Sequence, residues 1–394
     1  MNETIYMPVG EVCSSISDTY REKKNLVTLI NTSDVLEGRV LNHERVPNSN
    51  LKGQFKKTFQ RDDILYSEIR PQNRRFAYVD FSPIDYIAST KLMVIRAKKD
   101  VVSPKYLYYF LKKSSTVAEL QLLAETRSGT FPQITFSEVA NLTIPVPPLA
   151  VQEVIVQTMQ CLEDKTICNE QINDNLEQQA QAIYHERFET VSPNDLPSDW
   201  RIVTLGEVAT ISNKSFNPLK EPEILLEHYS IPAFDEARFP VFELSTSIKS
   251  NKFIIDASCF MISKLNPTTK RVWKPYCLTG NAVCSTEFIV YKAKDQSITD
   301  FLYSVIDSGS FSDFMCSHVT GSTGSRQRTT PSDTLSYELI LPSEDELAEF
   351  QSLVSPMYAQ MRINAIENDK LKRLRDSLLP KLMSGEIDVS SVHL

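Results

Sequence analysis

The chain has 394 residues, is 41% hydrophobic and carries a formal net charge of -8, which suits two or three globular domains with ordinary cores. No apolar leader occupies residues 1–20 and no run approaches the roughly 18 apolar residues of a membrane span, so we expect a soluble, cytoplasmic protein. The seven cysteines form no C-x-x-C pair and the five histidines show no ligand spacing. These patterns argue against a disulfide framework and against a metal site.

Residues 1–150 are predicted to form the first globular domain. Apolar, β-branched runs at 64–69 and 91–96 predict strands, and residues 105–112 predict a helix that follows Ser103-Pro104. Strands mixed with a few helices indicate an α+β domain with a curved sheet. The domain closes at Ile144–Pro148, where the prolines end a strand.

A long central helix is predicted for residues 151–190. Its seven-residue spacing is typical of a coiled-coil seam, although an amphipathic helix packed on a core would give a similar row. The seam residues are Ile155, Leu162, Asn169, Leu176 and Ile183.

After a linker, residues 191–343 are predicted to contain a second globular domain, and residues 344–394 a second long helix. Gly385 marks the expected end of that helix. Its seam repeats the first one 195 residues later, with Phe350, Met357, Asn364, Leu371 and Leu378.

The two halves of the chain repeat each other. With an offset of 196 residues, Gly10-Glu11-Val12 aligns with Gly206-Glu207-Val208, and Arg74-Arg75 aligns with Lys270-Arg271; the offset later slips to 195. One slip over such a length indicates a duplication. We therefore predict two tandem α/β domains separated by two long helices that pair as an antiparallel coiled coil, with a pseudo-twofold relation.

An asparagine occupies the middle position of each seam. Antiparallel pairing would place Asn169 opposite Asn364, where their amides could bond each other. Parallel pairing would match the same positions, so the asparagines alone do not decide the direction. Antiparallel pairing is favoured because it places the globular domains at opposite ends. On this basis Asn169→Leu is expected to stabilise the pair and to loosen its register.

The sequence contains none of the common catalytic motifs. It has no phosphate-binding loop, no dinucleotide-binding glycine pattern, no nucleophile elbow and no H-E-x-x-H helix. We therefore predict that the chain is not an enzyme by itself and holds no cofactor.

Local basic segments nevertheless suggest nucleic-acid binding. Residues 52–75 hold seven cations against three acids, and residues 264–275 hold four cations and no acid. Amide and hydroxyl side chains among the cations could read base edges while the cations hold phosphates. Including two Gly-containing loops, the candidates are Lys52, Gln54, Lys56, Lys57, Arg70, Gln72, Asn73, Arg74, Arg75, Arg127, Lys264, Asn266, Thr268, Lys270, Arg271, Lys274, Arg326 and Arg328. A solvated face is an equally good interpretation of each cluster, and the loops could instead serve the joint between domain and helix.

Three motifs in this order within a tandem repeat resemble one family. They are Leu196-Pro197-x-x-Trp200 with Val203-x-Leu205-Gly206-Glu207-Val208-Ala209, the Ile144–Leu149 joint with Gln152, and the C-terminal Leu374–Ile387. Over nearly its full length the chain is similar to the specificity (S) subunits of type I restriction-modification systems.

This resemblance implies that each globular domain is a target recognition domain that reads one half of a split DNA sequence. It also implies that the helices form a spacer and dock two methyltransferase (M) subunits, which carry S-adenosylmethionine and methylate adenine. Restriction (R) subunits join some of these complexes, while S itself catalyses nothing. Two departures put one M contact in doubt: Gln152 aligns with Leu347, and the first domain lacks the L-P-x-x-W lead-in.

Two other functions remain open at this point. A coiled-coil scaffold that binds proteins without reading DNA would suit the net charge of -8. A self-sufficient enzyme would require activity from this chain alone. The residues do not identify the bases recognised, the spacer length in base pairs, or whether restriction accompanies methylation.

Overall fold

The computed structural model describes residues 4–49, 53–127, 130–192, 194–320 and 327–389. The chain divides into two compact units, one formed by Met1–Lys165 with Leu371–Leu394 and the other by Thr166–Lys370. The division crosses both long helices, so each unit contains one globular domain and one segment of each helix. Within the part of the chain that is described, no helix is long and apolar enough to cross a membrane.

The described residues of the first half form twelve strands, four shorter α-helices and one long α-helix. Its elements are β1 (Ile5–Pro8), α1 (Val9–Val12), β2 (Cys13–Ile16), β3 (Leu26–Ile30), β4 (Val35–Leu36), β5 (Arg39–Val40), β6 (Val46–Pro47), β7 (Phe55–Lys57), β8 (Ile64–Ser67), β9 (Phe76–Tyr78), β10 (Tyr86–Ser89), β11 (Leu92–Ala97), α2 (Pro104–Lys112), α3 (Ser114–Arg127), α4 (Phe136–Ala140), β12 (Thr143–Val146) and α5 (Leu149–Tyr184). A single π-helical turn, His185–Glu189, extends α5.

The first globular domain contains two four-stranded sheets. One has the order β6-β3-β10-β7 and the other β2-β11-β8-β9, while β1 pairs with β12 and β4 with β5. The pair β3–β10 is parallel, and the other pairs of these two sheets are antiparallel. The first and last strands of the domain are therefore hydrogen-bonded neighbours, because β1 pairs with β12 just before α5 begins.

The second half follows the same plan. Its elements are β13 (Arg201–Thr204), α6 (Leu205–Val208), β14 (Ala209–Ile211), β15 (Ser215–Phe216), β16 (Leu225–Tyr229), α7 (Ile231–Ala237), β17 (Val241–Leu244), β18 (Lys252–Ile254), β19 (Cys259–Ser263), β20 (Val272–Trp273), β21 (Ala282–Ser285), β22 (Phe288–Ala293), α8 (Thr299–Ile306), α9 (Gly309–Ser317), β23 (Val319–Thr320), β24 (Arg328–Thr329), β25 (Glu338–Leu341) and α10 (Glu344–Ser384).

The sheets of the second domain confirm the duplication. The order β14-β22-β19-β20 reproduces β2-β11-β8-β9, and β13–β25 reproduces β1–β12. The five-stranded sheet β15-β18-β21-β16-β17 keeps the parallel pair at its centre, in β16–β21. The element type and order predicted from the sequence are therefore correct for the strands at 64–69 and 91–96, for the helix at 105–112, and for both long helices.

In the first unit, the two helix segments complete the domain core. Buried Ile155 and Met159 of α5 and buried Leu379 and Leu382 of α10 belong to one apolar cluster with Tyr106. Burial of such side chains stabilises the fold by roughly 1.5–3 kcal/mol each. The segments are thus integral parts of this unit.

In the second unit, aromatic side chains join helix and domain. Phe350 of α10 lies 5.2 Å from Phe188 and 6.0 Å from Phe301 between ring centroids, and all three are buried. Ring pairs at such distances add about 0.5–1.5 kcal/mol each beyond their buried area. Leu347 also joins this cluster, which accounts for an apolar residue at that position.

Gln152 is a buried structural residue. Its Oε1 accepts a hydrogen bond from the Ser103 N–H at 2.8 Å, and its Nε2 donates to the carbonyls of Pro147 at 2.8 Å and Val101 at 3.2 Å. The Gln152 side chain is 0% exposed, and its hydrogen bonds attach the first turn of α5 to the first domain. The Gln152 side chain is therefore enclosed by its own unit, and a weaker M contact at the aligned Leu347 stays a prediction.

The long helices pair antiparallel, and their register differs from the prediction. In the second unit Asn169 Nδ2 donates to Oδ1 of Asn368 at 2.8 Å and to Glu367 at 2.7 Å. Asn364 Nδ2 donates to Oδ1 of Asn173 at 2.8 Å. The predicted Asn169–Asn364 pair is wrong, because Asn169 bonds Asn368 and Asn364 bonds Asn173, and each actual partner lies four residues from the predicted one. The two asparagine pairs, Asn169–Asn368 and Asn173–Asn364, therefore lie about one helical turn apart along the helices.

Candidate nucleic-acid interface

A left-handed turn shapes the first basic segment. Arg70 has a φ of 45°, and its N–H donates to the carbonyl of Pro132 at 3.1 Å. An isolated β-bridge between Ile69 and Gln133 lies beside this bond. Because a non-glycine residue is strained in this conformation, the tertiary contacts are needed to hold the turn.

The second basic segment contains the same turn. Asn266 has a φ of 49°, its N–H donates to the carbonyl of Gln327 at 2.9 Å, and an isolated bridge pairs Leu265 with Arg328. Asn266 occupies the repeat position of Arg70. The duplication has thus kept a left-handed residue at this position in both domains while the side chains differ. Asparagine adopts this conformation more readily than arginine, so the backbone strain lies mainly at Arg70, and such strain is typical of functional sites.

Several candidate cations of the first domain already have intramolecular partners. The Lys57 ammonium donates to the carbonyls of Thr90 at 3.0 Å and Leu92 at 2.8 Å, and burial lowers its pKa. Arg75 donates to the Ser33 carbonyl at 2.9 Å. These contacts give Lys57 and Arg75 a structural role.

Two further candidates of this domain are held by side chains. Arg127 pairs with Glu138 at 2.5 Å, and Arg74 donates to the Ser114 hydroxyl at 3.0 Å. The Arg127 side chain is nevertheless 54% exposed, so its ion pair is worth little in water and can be exchanged for a phosphate.

The candidate cations of the second domain are more completely neutralised. Arg271 makes a two-pronged ion pair with Asp235, at 2.6 and 2.9 Å, and its side chain is only 12% exposed. Lys274 pairs with Asp300. Lys270 lies 2.8 Å from Oδ1 of Asp307 and donates to the carbonyl of that residue at 2.7 Å.

The Lys270 partner is itself unusual. Asp307 is 1% exposed, and burial raises the pKa of its carboxyl to about 6, although Lys270 opposes the rise. A carboxylate in such a place costs folding free energy unless it is neutralised. This pair therefore balances charge inside the second unit.

The remaining described candidates are accessible polar side chains. Exposed are Gln54, Lys56, Arg70, Gln72, Asn73 and Thr268, whereas Lys264 is half-buried and the Oδ1 of Asn266 is buried without a hydrogen-bond partner. Lys52 and Arg326 lie outside the described residues. The accessible set lies mainly in the first domain.

One pair of positions beside the turns was missed by the sequence reasoning. In the first domain Lys91 donates to Gln133 at 3.2 Å and lies 3.5 Å from Glu68. At the repeat position of Lys91 stands Glu287, which pairs with Arg328 at 3.0 Å. The two domains thus carry opposite charges at equivalent places, and the alignment of the repeats would have revealed this exchange.

Within the described ranges, no group of three or more His, Cys, Asp or Glu side chains is arranged to hold a metal ion. Burial raises the pKa of Cys259 to about 11. Buried thiols of this kind are poor nucleophiles.

Comparison with known proteins finds similar sequences over most of the chain. Residues 5–178 match the type I restriction modification DNA specificity domain. The chain is 29% identical to the HindI specificity subunit of Haemophilus influenzae over 433 aligned positions, which cover 92% of this chain and 94% of that protein. It is 24% identical to the MjaIX specificity subunit of Methanocaldococcus jannaschii, covering 79% of this chain and 77% of that protein.

Solved structures share the fold. A type I restriction-modification S subunit from M. genitalium has a TM-score of 0.53 at 15% identity, covering 97% of this chain and 96% of that one. A chain from a study of complex assembly in the type I R-M system has a TM-score of 0.51 at 18% identity, with 98% of both chains covered. At such identities the similarity concerns the fold alone.

Proposed function

We propose that this chain is a specificity subunit of a type I restriction-modification system, and that its two globular domains each read one half of a bipartite DNA sequence. The loops at Arg70 and Asn266 are the reading elements. The observation that carries this assignment is the shared left-handed turn with unlike side chains around it. One scaffold used twice, with different surfaces, suits a target whose halves differ.

In this proposal the chain contributes sequence recognition and assembly, without catalysis. Two methyltransferase subunits dock on the helices and supply S-adenosylmethionine, and restriction subunits join the complex in the cytoplasm. The exposed Arg70 and Lys56 neutralise phosphates, whereas Gln72 and Asn73 reach base edges. The Arg271 side chain, which is only 12% exposed, supports the second loop through its ion pair with Asp235.

The test is duplex binding by the chain together with its methyltransferase partner. Arg70→Ala should weaken binding to all duplexes and reduce the slope of log affinity against log salt by about 1, because one phosphate contact is lost. Asn73→Ala should instead reduce discrimination within one half-site. Lys24→Ala, an exposed lysine elsewhere in the same unit, is the control.

Substitution of Arg271 distinguishes a direct contact with DNA from a structural role in the second loop. If it supports the loop, Arg271→Ala should lower the unfolding free energy of the second unit by about 1–2 kcal/mol, since charge-assisted hydrogen bonds are lost. Its DNA affinity should fall by the same factor at every salt concentration. A reduced salt slope with unchanged stability would show that Arg271 contacts DNA directly.

A further inference from the structure

A small basic cavity lies in the first unit where α2 meets α3. Its volume is about 60 Å³, and its lining includes Arg74, Lys112, Lys113, Ser114 and Arg375. Glu37 and Asp376 are the acidic residues of the lining. Four cations thus face a space that two carboxylates share.

Three of these cations have partners within the unit. Lys112 pairs with Glu163, Arg375 donates to Asp376 at 2.8 Å, and Arg74 donates to a serine hydroxyl at 3.0 Å. Lys113 differs from them. Among the described residues it makes no ion pair, its ammonium lies 5.2 Å from the Phe110 ring, and burial lowers its pKa.

These lysines lie between two helix ends of opposite polarity, because α2 ends at Lys112, where a cation is favourable, and α3 begins at Ser114, where a cation is unfavourable. Helix α3 begins at Ser114 and runs for 14 residues, so its first turn presents N–H groups without intrahelical partners and a partial positive charge. Lys112 and Lys113 come directly before it. Cations at this end of a helix repel the dipole, whereas an anion there would satisfy both the lysines and the free N–H groups.

In the second repeat, residues of the chain itself provide both the acid and the helix cap at the corresponding junction. With the offset of 195, Asp307 and Ser308 replace Lys112 and Lys113. The Ser308 hydroxyl accepts from the N–H of Phe311 at 3.1 Å and caps α9, and Asp307 pairs with Lys270. There the chain supplies its own acid and its own cap.

The long helices show the same difference. Arg375 lines the cavity of the first unit, whereas the repeat position in α5 is the buried Ala180. The first repeat therefore carries three cations, Lys112, Lys113 and Arg375, where the second has an acid, a serine and an alanine. Glu163 and Asp376 pair with Lys112 and Arg375, so Lys113 is the cation of this junction for which the described residues supply no ion pair.

We propose that this cavity binds a phosphate group, held by Lys113, Arg375 and the first turn of α3. A phosphate group is an anion with several acceptor oxygens, and it carries about two charges as a free ion and about one as a backbone phosphodiester, which suits a set of cationic donors. The group could come from the backbone of bound DNA, in which case the inference rests on the proposed function, or from a free phosphate ion.

The first measurement is thermal unfolding of the full chain with inorganic phosphate at constant ionic strength. We expect a saturable rise of a few degrees in the wild type, because a ligand bound only by the folded state stabilises it. Lys113→Ser and Arg375→Ala introduce the residues of the second repeat and should abolish most of that rise. Serine can cap α3, so Lys113→Ser should still fold.

Lys24→Ser removes an exposed lysine of the same unit and is the control for net charge. It should keep the full response to phosphate. If the wild type did not respond, or if all variants responded equally, the proposal would be overturned.

The second measurement separates the two sources of phosphate. If a DNA backbone phosphate occupies the cavity, Arg375→Ala should reduce the salt slope of duplex binding by about 1 in the complex with the methyltransferase partner. If a free ion occupies it, the slope should stay unchanged while the thermal response is lost. A wild type that bound no DNA would overturn the proposed function, yet the thermal measurement would still decide this inference.

Discussion

At the scale of single residues, the contacts of a side chain decide whether a charge or an amide is available for function. Lys57 and Arg271 belong to basic segments by sequence, yet backbone carbonyls or a carboxylate occupy their donors. Arg70 belongs to the same kind of segment and is exposed. Residue type and spacing alone do not distinguish the two situations.

The contacts of Asn169 reverse the effect on stability that the sequence predicts for its substitution by leucine. The sequence predicts that Asn169→Leu stabilises the helix pair, but Asn169 donates to Asn368 and Glu367 and is 0% exposed. Removing this donor should cost about 1–3 kcal/mol of unfolding free energy, because the half-buried acceptor on Asn368 loses its partner.

Urea unfolding of Asn169→Leu and of the double variant Asn169→Leu/Asn368→Leu measures this. The double variant should recover most of the loss, since neither half of the bond remains. Ile172→Ala changes an exposed residue of the same helix and should have little effect. A single variant more stable than the wild type would restore the prediction from sequence.

The Asp307 carboxyl should make the second unit sensitive to pH. Its pKa in the folded state is raised from 3.8 to about 6, so its stabilising contribution is present below pH 3.8 and is lost as pH rises through about 6. The loss amounts to up to about 3 kcal/mol. Asp307→Asn should therefore become more stable than the wild type as pH rises from 4 to 7.

Denaturant unfolding at several pH values checks this expectation, with Asp256→Asn as a control of opposite sign. Contacts with Lys292 and Ser258 overcome the effect of burial and lower the pKa of Asp256 to about 2, so its contribution is lost as pH falls. Asp256→Asn should accordingly be less stable than the wild type at pH 7. Parallel pH profiles for Asp307→Asn and the wild type would contradict the role given to Asp307.

At the scale of secondary structure, heptad spacing identified the helices, and the globular domains use many of their seam positions. Ile155 and Phe350 occupy seam positions, yet both are buried in domain cores. Leu176 and Leu371 are only partly buried. The alternative of an amphipathic core helix is therefore correct at the outer ends of the rows, and helix pairing is correct at their middle.

Phe350→Ala should be among the most damaging single changes in α10. Its ring packs against Phe188, Phe301 and Tyr184, so its removal leaves a cavity and should cost about 3–5 kcal/mol. Leu353→Ala, at a 41% exposed position one turn along the same helix, should cost far less. Chemical unfolding monitors both, and equal costs would show that the aromatic cluster does not join helix and domain.

At the scale of the whole molecule, the compact units do not follow the chain segments in order. The first unit combines Met1–Lys165 with Leu371–Leu394, because α10 returns to the first domain after passing through the second unit. Its buried residues Leu379, Leu382 and Met383 share a core with Val12. A boundary drawn at residue 150 therefore cuts through one hydrophobic core.

Domain exchange with a related protein should reflect these units. Replacing residues 1–150 alone should change one half-site of the recognised DNA but lower the thermal stability, because foreign side chains meet Leu379 and Leu382. Replacing 1–165 together with 371–394 should give the same specificity and recover the stability. Methylation-site sequencing and thermal unfolding measure the two effects, and a change in both half-sites would contradict modular reading.

The sequence by itself determined the duplication, the order of strands and helices, and the two long helices, because these follow from repeat alignment and from local periodicity. Tertiary structure alone decided the asparagine register and the buried role of Gln152, since both depend on which side chains meet across distant segments. It also decided which cations remain accessible, because an ion pair such as Arg271–Asp235 joins residues 36 positions apart with no local signal. Local pattern fixes the elements, and long-range contact fixes the charges available at the surface.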